Sequence, residues 1–235
     1  MKKLLLYISA IFFIIGCGGS KSEPSRTLGN VMPLGDSITF DEYYFDKRPD
    51  SVRTGYRNHL WYKLQEEEYE VNFVGSQSTG SEIKPEFDPD NEGHSGWTSY
   101  EIAEHVYDFL MQNHANIILL HIGSNDGDGT AEGVTEILNE IDLYEADNNQ
   151  TVKVVVALVI DRRNQDDILT SYFNANLQKI VDNRIKNGDK DIKLVDMYRG
   201  AGMTSSDYQD EKHPNDTGYQ KMADVWFNAL KEMVF

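Results

Sequence analysis

The chain has 235 residues, with 39 acidic and 22 basic side chains, a formal net charge of −17 and one cysteine. Such a charge repels nucleic acid and anionic lipid head groups, and one cysteine excludes an internal disulfide, so a folded domain must rest on its apolar core. The length suits a single sizeable α/β domain, and no internal repeat or low-complexity linker divides it.

The first segment stands apart. Lys2 and Lys3 precede "LLLYISAIFFIIG", an apolar run too short and too near the terminus for a membrane span but suited to a secretion signal. The run ends at Gly16-Cys17, and "GGSKSEPS" follows as a flexible tether. This stretch resembles the lipobox of bacterial lipoproteins. The resemblance implies that residues 1–16 are removed, that Cys17 carries lipid, and that residues 17–29 tether a secreted domain to the cell envelope, at the outer membrane or cell surface. A structural cysteine is the alternative. Removing residues 1–16 deletes two lysines and no acid, taking the net charge from −17 to −19.

Beyond the tether, runs of Val, Ile and Leu predict strands over residues 30–35, 71–75, 116–122, 152–159 and 192–196. Between them, "GYRNHLWYKLQEE", "TSYEIAEHVYDFLMQ", "AEGVTEILNEIDLYEA" and "ILTSYFNANLQKIVDNRIKNG" carry apolar residues at helical spacing. In the last of these, Leu169, Tyr172, Phe173, Leu177, Ile180, Val181 and Ile185 form one stripe; a closing helix after Pro214 aligns Tyr219, Met222, Ala223, Trp226, Ala229, Leu230 and Met233. The alternation predicts a three-layer α/β/α sandwich with a five-stranded parallel sheet in flavodoxin-like order, over residues 30–235. Ligand sites of such folds lie beyond the carboxyl ends of the strands.

The chemistry-bearing residues fall at those ends. Ser37 directly follows the first strand, in "GDSIT", with Gly35 as the turn and Asp36 and Thr39 to satisfy its backbone. Asp210 precedes His213 by three residues in "DEKHP", so one turn can supply a base and the carboxylate that orients it. Asn125 in "GSND" offers a side-chain amide, and Gly96 in "HSGW" a backbone N–H just before a helix. There is no Gly-x-Ser-x-Gly, which tells against the α/β-hydrolase class. Each motif alone reads equally as a turn; their conjunction reads as acyl-transfer chemistry.

"GDSIT", "HSGW", "GSND" and "DEKHP" resemble the four sequence blocks of the SGNH, or GDSL-type, hydrolases, over residues 30–235. The resemblance implies Ser37 as nucleophile, Asp210 and His213 completing the triad, and Ser37, Gly96 and Asn125 as oxyanion donors. Within that superfamily, "MPLGDSIT", "VNFVGS", "NEGHSGWTS" and "HPNDTGYQKMADVW" look most like the third carbohydrate-esterase family, which includes acetylxylan esterases. This implies removal of O-acetyl groups from a polysaccharide through an acetyl-enzyme, with an acetylated carbohydrate as partner and no metal or cofactor. Two departures are a local acidic, aromatic stretch from Phe40 to Arg53 and the lack of a carbohydrate-binding module.

Two other activities fit the same motifs: a lipid or thioester hydrolase on the same triad, and a non-catalytic glycan-binding surface lipoprotein. Candidate substrate contacts are Asp36, His94, Trp97, Tyr43 and Tyr44, with Phe45 beside them. For the aromatic residues the alternative is that they cover the core or pack their own loops. The acidic run from Glu86 to Gly93 reads as a solvated loop, with a structural Ca²⁺ as the alternative.

Overall fold

Strands of Val, Ile and Leu that are apolar on both faces are stable only when both faces are covered. A computed structural model describes residues 26–164 and 167–233; the expected secretion signal and Cys17 lie outside the described residues. The elements run β1 (Thr27–Gly35), α1 (Ser37–Phe40), α2 (Arg57–Glu66), β2 (Glu70–Phe73), β3 (Gln77–Ser78), β4 (Asp90–Gly93) and α3 (Ser99–Gln112). They continue with β5 (Ile117–His121), α4 (Glu132–Asn148), β6 (Lys153–Ala157), α5 (Ile168–Lys186), β7 (Ile192–Val195) and α6 (Asp216–Lys231).

Five strands pair in parallel in the order β2-β1-β5-β6-β7, the flavodoxin-like arrangement, and β4, parallel to the end of β1, with β3 antiparallel to it, enlarges the expected five-stranded sheet to seven strands. Alternate residues of each strand enter opposite cores. Met32, Leu34, Ile118, Leu120, Val154 and Val156 pack with α3, α4 and α5. On the other face, Val31, Ile117, Leu119, Val155 and Val195 pack with α2 and α6. Each such side chain, fully removed from water, contributes about 1.5–3 kcal/mol before entropy is counted. Among the described residues no helix is long and apolar enough to cross a membrane.

The structure departs from the sequence pattern at three places. β1 begins at Thr27, inside the expected tether, because Leu28 is buried and Thr27 to Asn30 continue the register against β2. Of the α5 stripe only Phe173, Leu177 and Val181 are buried, whereas Leu169, Tyr172 and Ile185 are exposed: the helix presents a narrower apolar face to the sheet than its stripe suggested. The acidic run is not a solvated loop throughout. Its end forms β4, pairing with β3 and with the last residues of β1, and Asn91 and Glu92 are fully buried. Asp88 accepts the N–H of Phe73 at 2.8 Å. This strand is stabilised by main-chain pairing and buried polar groups, so no apolar run announces it.

Arg57, the first residue of α2, is wholly buried without a carboxylate partner among the described residues. Nε donates to the Thr39 carbonyl at 3.1 Å, Nη1 to the Pro89 carbonyl at 3.1 Å and the Thr79 carbonyl at 3.4 Å. Nη2 donates to the Arg53 carbonyl at 3.0 Å and Thr79 Oγ1 at 2.7 Å. Burial pushes its pKa down to about 10, which still leaves it charged at neutral pH. One side chain thus fastens α1, α2 and the segment between β3 and β4. Arg57→Lys keeps the charge but has too few donors for all five acceptors; urea unfolding should show a loss of about 2–4 kcal/mol.

Candidate active site

The carboxyl ends of β1 and β5 approach closely, since a Cβ on Gly35 would lie 2.3 Å from the His121 carbonyl oxygen. The glycine is required there for space; it is not at positive φ, so the turn itself begins at Asp36. Asp36 is fully buried and its Oδ1 accepts the Ile38 N–H at 2.9 Å, capping α1. That placement removes Asp36 from the candidate substrate contacts. Ser37 opens α1 with its hydroxyl turned to His213: Oγ lies 2.9 Å from Nε2.

His213 is held from both sides. Its Nδ1 lies 2.9 Å from Asp210 Oδ2 and 3.0 Å from Oδ1, and Tyr208 and Pro214 form an antiparallel bridge that closes its loop. The carboxylate accepts at Nδ1, so the proton sits there and the Nε2 lone pair faces the Ser37 hydroxyl. Asp210 also accepts the N–H groups of Lys212 and His213 at 2.8 Å and that of Tyr44 at 2.9 Å. Burial pushes the Asp210 carboxyl up, but the backbone N–H groups of His213, Lys212 and Tyr44 and the His213 ring hold it below the ordinary carboxylate range.

Two further loops meet this line. His94 to Trp97 form a turn closed by Trp97 N–H to the His94 carbonyl at 3.1 Å, with Gly96 at φ +84°, which glycine adopts without strain. Gly96 is exposed and an added Cβ would meet nothing within 4 Å. Asn125 Nδ2 donates to the Trp97 carbonyl at 2.9 Å, and Ser99 N–H to Asp126 at 2.8 Å, so the loop after β5 is fixed to the start of α3. Beside Asn125 lies a cavity of about 230 Å³ lined by Tyr44, Ser124, Arg162, Leu169, Phe173 and Lys212.

Residues 31–226 match the GDSL-like Lipase/Acylhydrolase family. The chain belongs to that family. It has the α/β fold of that GDSL, or SGNH, family, and carbohydrate esterases are among its structural relatives. A family 3 carbohydrate esterase from Clostridium thermocellum is 26% identical with a TM-score of 0.72, the match covering 89% of this chain and 100% of that one. A carbohydrate esterase family 3 protein from Talaromyces cellulolyticus is 26% identical with a TM-score of 0.68, over 87% and 97% of the two chains. A multidomain esterase of Ruminococcus flavefaciens is 27% identical over 232 residues, covering 86% of this chain; the chain spans only 28% of that protein's length.

The remaining residues singled out in this GDSL-type hydrolase divide into buttresses and cavity walls. His94 is sandwiched between Trp97 at 4.1 Å and Phe109 at 4.9 Å, with Nε2 2.6 Å from the buried Glu92; it supports the Gly96 turn and does not face a ligand. Trp97 is half-buried against the α3 core and contributes its carbonyl to Asn125. Tyr43 lies under the Arg48 guanidinium, 5.0 Å from its ring centroid, and lines a separate cavity with Asp41 and Tyr219. Tyr44 faces the site: half exposed, it sets its ring edge-on to His213 at 5.2 Å.

The loop carrying Tyr44 is rigid for reasons absent from any short motif. Arg48 and Arg53 share the Asp46 carboxylate, at 2.8 and 2.9 Å, and Arg48 also bonds Asp41 at 3.0 Å. This network holds Asp41 at φ 72° and Phe45 at φ 60°, left-handed values that side chains adopt at a cost. Three further residues escaped sequence reasoning. Lys212 is buried beside His213, Arg53 is buried in the network, and His121 is a lone polar residue in an otherwise apolar strand. His121 Nε2 accepts the Ile160 N–H at 3.3 Å, and burial pushes its pKa down.

The lowered Asp210 pKa fixes the sign of a pH effect. A carboxyl whose folded pKa is depressed contributes stability above its unfolded pKa and loses it as pH falls through the folded value. Asp210→Asn should therefore cost about 1–3 kcal/mol at pH 7, with the gap to the parent closing as pH falls below about 4. Urea midpoints measured at both pH values check this.

Proposed function

We propose that this protein is a serine esterase that removes O-acetyl groups from a polysaccharide or oligosaccharide. The observation that carries the reading is the Asp210–His213–Ser37 line, in the tautomer that leaves Nε2 free to accept the serine proton, 2.9 Å away. Ser37 Oγ attacks the acetyl carbon as His213 Nε2 takes its proton. The N–H groups of Ser37 and Gly96 and the Asn125 amide hold the tetrahedral oxyanion. Collapse breaks the bond from the acetyl carbon to the sugar oxygen, and His213 gives its proton to that departing oxygen, which leaves as a hydroxyl. Water, deprotonated by His213, then attacks the acetyl-enzyme, releasing acetate and restoring Ser37.

The substrate class rests on resemblance and on the cavity. The relatives include family 3 carbohydrate esterases and an acetyl esterase variant solved with an acetate ion, 26% identical with a TM-score of 0.68. The cavity wall offers Ser124, Asn125 and Arg162 to hydroxyls and the half-exposed Tyr44 ring to a sugar face. One observation favours a longer acyl group: Leu169 and Phe173 line the same cavity, and the neighbouring Ile168 and Tyr172 are exposed.

Ser37→Ala should lower acetate release from acetylated xylo-oligosaccharides by at least about 10³-fold while leaving the fold intact. Acetyl p-nitrophenyl ester should be turned over faster than the octanoyl ester. Full activity in Ser37→Ala would end the serine mechanism, and a preference for octanoyl would replace the carbohydrate reading with the acyl one.

The anchoring reading extends the proposal to location. Lipid on Cys17 would hold the catalytic domain at the cell envelope, where polymeric substrates are met. Cys17→Ala should move the protein from the membrane pellet to the soluble fraction and abolish incorporation of a labelled fatty acid; unchanged fractionation would remove the anchor.

A further inference from the structure

The residue before the base has no part in the mechanism above, yet its surroundings are unusual for a lysine. Lys212 is 8% exposed, and its ammonium donates to Asn125 Oδ1 at 2.6 Å. Among the described residues no carboxylate forms an ion pair with it; the other feature near the charge is the Tyr44 ring, 6.0 Å away. A buried cation without a counter-ion is costly. Here its field falls on a single amide.

We propose that Lys212 is a positioning residue that locks and polarises the Asn125 amide as an oxyanion donor. The lock follows from hydrogen-bond chemistry. An ammonium can only donate and the Trp97 carbonyl can only accept, so Oδ1 must face Lys212 and Nδ2 must face Trp97. Neither contact tolerates a flipped amide. One Nδ2 proton is used by Trp97, and the other remains for the substrate. The polarisation follows from charge: an ammonium on Oδ1 draws electron density through the amide and strengthens the N–H as a donor. Because Lys212 N–H also bonds Asp210, one residue couples the base's loop to the donor's loop.

The proposal rests on the esterase reading. A parent chain that turns over no ester would end both, whereas an active parent with an indifferent Lys212→Met ends this one alone. On p-nitrophenyl acetate, Lys212→Met should lower kcat roughly 10- to 100-fold, a part of what one oxyanion donor supplies, with KM within about two-fold of the parent. Lys212→Arg should recover most of that loss, and Lys212→Gln, a donor without charge, should recover less. Should the methionine variant melt below the assay temperature, the glutamine variant carries the kcat reading. In an Asn125→Ala background, Lys212→Met should have little further effect, since the two act as one unit. A parental kcat in Lys212→Met, a loss confined to KM, or an undiminished effect in Asn125→Ala would overturn the proposal.

Discussion

The Asp210 carboxylate is the point on which the site's geometry turns. It accepts three backbone N–H groups and the imidazole of His213, drawn from two segments 166 residues apart, of which Tyr44 is the distant member. A carboxylate so surrounded stays ionised and cannot rotate, so the ring it faces has one orientation and one tautomer. The serine hydroxyl then has an acceptor in a fixed place. The loop bearing Tyr44 is itself braced by Arg48, Arg53, Asp41 and Asp46, which makes that acidic stretch a scaffold for Asp210 and His213.

The sheet supplies the coarser constraint. Parallel strands buried on both faces require long crossovers, and these return every loop to the same edge. β1 delivers Ser37, β5 delivers Asn125, and the chain between β7 and α6 delivers Asp210 and His213. β4 is the exception: it extends β1 by two residue pairs and carries the chain directly into the Gly96 turn. The loop of Gly96 is therefore continuous with the strand beside Ser37, and His94 stacks on Trp97 and Phe109 beneath it.

What was legible in the sequence is what depends on regular apolar pattern or on residue types with few uses. The five parallel strands and the helical faces of α3, α4 and α6 follow from periodicity. Ser37, Asp210, His213, Gly96 and Asn125 stand at strand ends as their motifs suggested. What escaped was polar and non-local. β4 is built from Asp-Asn-Glu-Gly and stabilised by pairing, which no hydropathy pattern reveals. Asp36 and His94 carry functional-looking side chains whose partners, Ile38 and Glu92, are main chain or buried carboxylate. Lys212 and Arg57 are given no role by any motif, because burial of a charge is decided by acceptors that only the fold assembles.

Four of the five acceptors around Arg57 are main-chain carbonyls, and only Thr79 Oγ1 belongs to a side chain. A carbonyl is present whatever residue occupies the position. Of the excursion between β3 and β4 the clasp therefore requires the backbone path and the Thr79 hydroxyl, and leaves the other side chains to their own contacts, such as that of Asp88 with the Phe73 N–H. A clasp of this type ties the seat of Ser37 to a chain path and not to a particular set of neighbouring side chains.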